Sequence, residues 1–86
     1  MPYIKQEDRI DFDELLLGLP EFKSPGELNY FLTKTVLAYE EQKGTSYQSY
    51  NDIVGVLECI KQEIYRRVIA DFEDYKKNFN GEVYED

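Results

Sequence analysis

Six charged residues close together in one segment, Glu58, Lys61, Glu63, Arg66, Arg67 and Asp71, are the chain's best materials for chemistry. Carboxylate oxygens suit Mg²⁺ and guanidinium forks suit phosphate. With Glu73 and Asp74 added to Glu58 and Glu63 as metal ligands, and Lys61, Arg66 and Arg67 as phosphate contacts, the set would serve a Mg²⁺-dependent nucleotide-binding protein. The same residues also form a ladder of opposite charges three or four apart: Glu58 with Lys61, Glu63 with Arg66 or Arg67, and Arg67 with Asp71. On a helix such pairs are ordinary surface contacts and weak ones. The ladder therefore has two explanations, a structural one and a polar site.

Other chemistries are removed by composition. The chain has no histidine, which excludes Ser-His-Asp and Cys-His catalysis and imidazole metal ligands. Its single cysteine, Cys59, allows no internal disulfide and has no base beside it in sequence, so it is expected to pack rather than react. No glycine-rich phosphate loop is present, and no catalytic residue is assigned. The acidic ladder resembles the helix-borne carboxylate clusters of all-α nucleoside-triphosphate pyrophosphatases, but the paired-glutamate motif of that family is missing, since Glu58 and Glu63 are five apart. A small helical interaction or accessory protein without a cofactor is the leading expectation. A Mg²⁺-dependent nucleotide protein is the alternative.

The ladder must be positioned by the segment Tyr50 to Phe79, in which Ile53, Leu57, Ile60, Ile64, Val68, Phe72, Tyr75 and Phe79 recur at steps of three or four. That period predicts one helix with one apolar side, roughly 45 Å long. Uniform winding places Lys61, Arg67 and Asp71 within or at the edge of the stripe. Asp71 could also cap a separate last helix if the chain breaks near Ala70. Asn80 and Gly81 end the helix, and residues 82–86 are expected to fray.

Upstream, Ser24, Pro25 and Glu27 predict a helix from Pro25 to about Lys43, closed by Gly44. Leu28, Phe31, Leu32, Val36 and Tyr39 form its stripe, with Thr35 inside it, while Asn29, Lys34, Glu40 and Glu41 are expected to face solvent. The short connector makes this helix and the long one an antiparallel αα-hairpin. Either Thr45 with Gln48 or Ser49 with Asp52 caps the long helix, which starts between Ser46 and Tyr50. A short first helix is expected behind Asp11 as N-cap with Glu14, ending at Gly18 and Pro20, and residues 1–9 are expected to be a flexible or loosely docked arm that Tyr3 and Ile4 could pin down. The expected fold is all-α, three helices in one domain.

The hairpin arms are unequal, so Val68, Ile69, Phe72, Tyr75 and Phe79 overhang with too little chain left to cover them. Exposed stripes of that kind mark interfaces, and a twofold homodimer is the commonest way to bury one. Eight tyrosines, among them Tyr30, Tyr39, Tyr65 and Tyr75, fit boundary and interface positions. The 86 residues carry a net charge of −8, which argues against a nucleic-acid partner and leaves room for an acidic protein that masks a basic surface. No apolar run has the length of a signal peptide or a membrane span, so the chain is expected to be cytoplasmic, without membrane contact.

The strings PGELNY at Pro25 to Tyr30, ECIKQEIYRR at Glu58 to Arg67 and FEDYKKNFNGEVY at the close resemble a family of small archaeal, bacterial and phage proteins without a known activity. The resemblance implies a self-contained unit in which Glu27, Asn29, Tyr30, Glu58, Lys61, Glu63, Tyr65, Arg66 and Arg67 are signature positions.

Overall fold

Ser24 and Pro25 start the second helix as their types require. In the computed structural model, which describes residues 2–84, the Ser24 hydroxyl accepts the Glu27 backbone N–H at 3.2 Å. The Glu27 carboxylate accepts a second free N–H, that of Lys23, at 3.0 Å. The helix α2 then runs Pro25–Lys43, after a short helix α1 at Ile10–Leu17. The third helix comprises α3 (Tyr47–Ile64), a π-helical turn (Tyr65–Ile69) and α4 (Ala70–Asn80), unbroken over 34 residues. Among the described residues there is no strand, and the fold is all-α with three helices, the last one long.

Two expected caps are replaced. Helix α1 begins one residue earlier than Asp11, behind Arg9, whose carbonyl accepts the Asp13 N–H at 2.9 Å. Asp11 and Asp13 instead lie in the first turn, where the helix dipole favours acids. For α3 neither expected pair serves: Ser46 is the N-cap, and its hydroxyl accepts the Ser49 N–H at 3.1 Å.

The turn between α2 and α3 holds Ser49, the one buried residue among those described. Gly44 takes φ 87°, a left-handed conformation in which glycine carries no penalty, and its N–H closes on the Glu40 carbonyl at 2.8 Å. Ser49, only 4% exposed, donates its hydroxyl to the Gly44 carbonyl at 2.7 Å, which satisfies a helix-end acceptor. Two tyrosines then tie the arms together, Tyr39 donating to Asp52 at 2.9 Å and Tyr50 to Glu40 at 2.8 Å. Both carboxylates hold their tyrosine hydroxyls above the usual phenol range. Glu40, expected to face solvent, is thus half-buried in the elbow and also accepts from Thr45 at 3.1 Å. Thr35 turns its hydroxyl back to the Phe31 carbonyl at 2.8 Å.

Away from the elbow the chain buries little. Val36, Tyr39 and Ile53 are partly covered, but no apolar side chain among the described residues is buried. Leu28 and Phe31 of α2 remain 43% and 41% exposed, although Phe22 from the preceding loop lays its ring 5.8 Å from that of Phe31. The radius of gyration is 17.1 Å and the molecule spans 49 × 32 × 30 Å. A packed domain of this length would have a radius near about 12 Å. Its accessible surface, 8246 Å², likewise exceeds the roughly 5,300 Å² usual for a folded chain of this mass.

The π turn has a reason in the apolar spacing. Ile53, Leu57, Ile60 and Ile64 follow steps of four, three and four, and Val68, Phe72, Tyr75 and Phe79 repeat the same steps. A heptad seam would join the two sets by a step of three, yet Ile64 to Val68 is four. One residue too many is absorbed where the Ala70 N–H reaches back five residues to the Tyr65 carbonyl. Arg67 and Asp71, which uniform winding places within or at the edge of the stripe, are both exposed, and Arg67 lies against Glu63. No separate cap is needed at Asp71, because the helix continues through Ala70.

Residues 2–9 hold a single 3₁₀ turn at Gln6–Asp8, and Arg9 donates to the Ile4 carbonyl at 2.9 Å. At the other end Gly81, with φ 100°, stops the long helix, and the Glu82 carboxylate accepts the Val83 and Tyr84 N–H groups at 2.9 and 3.0 Å. Met1 of the expected arm and Glu85 and Asp86 of the expected tail lie outside the described residues.

Candidate functional site

Glu63 is the point where the charged ladder meets the rest of the chain. It is the last acidic residue of α3, two residues before the π segment, and it is half-buried while its neighbours are exposed. Arg66 grips both of its oxygens, at 2.9 and 3.1 Å, and the Arg67 Nε lies 3.9 Å away. From the far end of the sequence Tyr3 donates its hydroxyl to the same carboxylate. These donors, Tyr3 first and Arg66 second, hold the Glu63 carboxyl below the usual carboxylate range, and Glu63 in turn raises the Tyr3 phenol. Pro2 follows Tyr3 into a shallow groove beside Cys59, Gln62 and Arg66. Tyr3 is one of the two residues expected to be able to pin the arm, but its partner Glu63 could not be read from sequence, since a contact across sixty residues has no periodicity to announce it.

The other members of the ladder are placed apart. Lys61 pairs with Glu58 at 3.1 Å, and Gln62 donates to the same glutamate at 3.0 Å, which holds the Glu58 carboxyl below its usual range, Gln62 first. Arg67 lies against Glu63 rather than Asp71. Glu73 accepts from the Tyr65 hydroxyl at 2.5 Å, and Asp74 lies 4.0 Å from Lys77, which also approaches Glu82 at 3.7 Å. The four carboxylates considered as Mg²⁺ ligands thus face four different partners. Among the described residues no three Asp, Glu or Cys side chains are placed to hold one ion. Cys59, expected to pack, is exposed.

The overhanging stripe is open as the spacing implied. Val68, Ile69, Phe72, Tyr75 and Phe79 are all exposed, Phe79 by 77%. Tyr75 and Phe79 stack at 6.4 Å, and Lys76 lies 5.7 Å from the centre of the Phe72 ring. The site is therefore an apolar stripe on one side of the long helix and the Glu63 clasp near the middle of that helix.

The clasp titrates. Because the Glu63 carboxyl is depressed in the folded chain, its contact with Tyr3 contributes above the ordinary carboxylate range and is lost as pH falls through the depressed value. The Tyr3 ring resonances are expected to move to their free positions over that acidic interval. Glu63→Ala should show them free at every pH. An unchanged Tyr3 spectrum in that variant would mean that the clasp does not hold the arm.

No helix among the described residues is long and apolar enough to cross a membrane. No curated protein and no solved structure matches the chain. One family model does, covering residues 1–83, and the chain accordingly belongs to the family described as a domain of unknown function, DUF6899.

Proposed function

We propose that this protein is a small helical interaction module whose hydrophobic core is completed by a second copy of itself, so that a homodimer is the working unit. The observation that carries this is the lack of a single buried apolar side chain among the described residues of a chain that is 42% hydrophobic. Folding fixes backbone and side chains at a large entropic cost, and apolar burial is the main term that offsets it. A chain of 86 residues with a single cysteine cannot close an internal disulfide, so apolar burial must supply most of its stability. Its cover must come from association. An exposed lone thiol suits a reducing compartment, which supports reading the module as cytoplasmic. The Mg²⁺-nucleotide alternative lacks comparable support, since its carboxylates lie apart.

Sedimentation or light scattering at micromolar concentration tests the proposal. The expected mass is twice the 10.2 kDa of the chain. A mass of 10.2 kDa with full helical content would overturn it.

A further inference from the structure

We infer that the second copy lies antiparallel, its overhang (the π turn with α4) seated against the exposed apolar residues of α2 and α3, Leu28, Phe31, Leu57 and Ile60 among them, and that the twofold axis passes beside Ile64. This inference rests on the self-association proposed above and adds which surface meets which.

Length is the first argument. The α3 arm of the hairpin has 18 residues, and the overhang has 16, five in the π turn and 11 in α4. An axis beside Ile64 lays one against the other with their ends nearly coincident. Each copy then covers the partner's exposed section, and every level of the assembly holds three helices. A parallel pair would put hairpin on hairpin and leave the two overhangs as a bare two-helix stalk.

The stripe is also nearly symmetric about Ile64. Ile60 and Val68 lie four residues to either side, Leu57 and Phe72 seven and eight, Ile53 and Tyr75 eleven each. Antiparallel pairing therefore sets the aliphatic side chains of α3 against the aromatic ones of the partner's α4. Large against small is how packed layers interdigitate. Parallel pairing would face Phe72 with Phe72.

Charge gives a third argument. Helix α3 carries Asp52, Glu58 and Glu63 against Lys61 alone, a net of −2, while the overhang carries Arg66, Arg67, Lys76 and Lys77 against three acids, a net of +1. The antiparallel arrangement brings opposite signs together and the helix dipoles into opposition. A parallel pair offers Asp71 the partner's Lys76, an exposed contact too weak to decide the orientation.

Nothing described stands in the way. Pro2 borders Cys59, Gln62 and Arg66 and Tyr3 reaches Glu63, yet Ile60 and Ile64 stay 47% and 48% exposed with the arm clasped, so the arm leaves the stripe open.

Spin labels decide the matter. Cys59→Ser with Asn78→Cys leaves one thiol per chain, on an exposed position off the stripe. Residue 78 is 14 residues from Ile64, so two labels in the antiparallel dimer are expected about 40 Å apart by electron–electron resonance. Mixing this chain with one carrying Cys59→Ser and Tyr47→Cys should add a short distance, below about 20 Å, since opposite ends meet. A dimeric mass with the Asn78→Cys labels within about 20 Å would overturn the antiparallel inference and leave self-association standing. A monomeric mass would overturn both. Wild-type circular dichroism for the labelled chains shows that they fold.

Discussion

Leu57→Asp is expected to remove the partner and the helical structure in the same step. In the single chain Leu57 is 42% exposed, and a substitution at so open a site ordinarily moves stability by no more than about 0.5 kcal/mol. Within the proposed assembly the same side chain faces the partner's α4, and an unpaired carboxylate there costs several kcal/mol, of the order of the whole stability of a small domain. The two accounts therefore differ by far more than measurement error. Because one chain holds no core of its own, a dissociated chain has little to keep it folded, and unfolding and dissociation should form one transition. The wild-type melting temperature is then expected to rise with protein concentration. For Leu57→Asp the far-ultraviolet helix signal should be largely lost at concentrations where the wild type is folded. Tyr47→Asp, at a position 92% exposed, is the matched control and should melt like the wild type. Equal melting of Leu57→Asp and wild type, independent of concentration, would show that the stripe does not carry the fold.

What could be read from sequence was local. The Ser24, Pro25 and Glu27 start, the Gly44 stop and the Asn80 and Gly81 end all rest on backbone groups satisfied within a few residues, and the structure places these boundaries there. The α1 cap failed because Arg9 can close the first turn through its own carbonyl, a contact any residue type can make. At the α3 start several hydroxyl residues competed, and Ser46 prevailed since Ser49 is drawn off to the Gly44 carbonyl. Glu40 was given to solvent on its type and position at a helix end, whereas Tyr50 and Thr45 recruit it across the turn. The Glu63 clasp joins residues from opposite ends of the chain, and no pattern within either end records it.

Arg67 and Asp71 illustrate the same limit at the candidate site. Uniform winding puts both on the apolar side, which made them look like buried charges in need of a purpose. The π turn shifts the later half of the helix by about one residue against α3, and both side chains are exposed, with Arg67 against Glu63. The signal was present in the sequence as a step of four between Ile64 and Val68 where a seam of alternating fours and threes calls for three. It is legible only once heptads are counted from both ends toward the middle.

At the π turn the length of the chain should matter more than its chemistry. Deleting Arg67 should close Tyr65–Ile69 into ordinary α-helix and join the two halves of the stripe by the missing step of three. The Arg67 contact with Glu63, 3.9 Å long and exposed, is a small loss, and Arg66 keeps its two hydrogen bonds within α-helical reach. Assembly and helix content should survive, with a melting temperature at or above that of the wild type, since a π turn is the less favourable geometry. Deleting Glu58 removes a residue of similar exposure and also shortens the same helix by one, yet it should abolish assembly. The step from Leu57 to Ile60 falls to two, and Ile60 and Ile64 swing about 100° out of line with Ile53 and Leu57. The spare residue of the π turn lies beyond Ile64, so closing that turn realigns only the later half and leaves the middle of the stripe broken. Sedimentation and circular dichroism of the two deletions side by side measure the contrast. If both are lost alike, the π turn serves something other than the register of the stripe. If both survive, the stripe is not a continuous seam, and the cover for Phe72, Tyr75 and Phe79 must come from a partner that does not bridge the two halves of the helix.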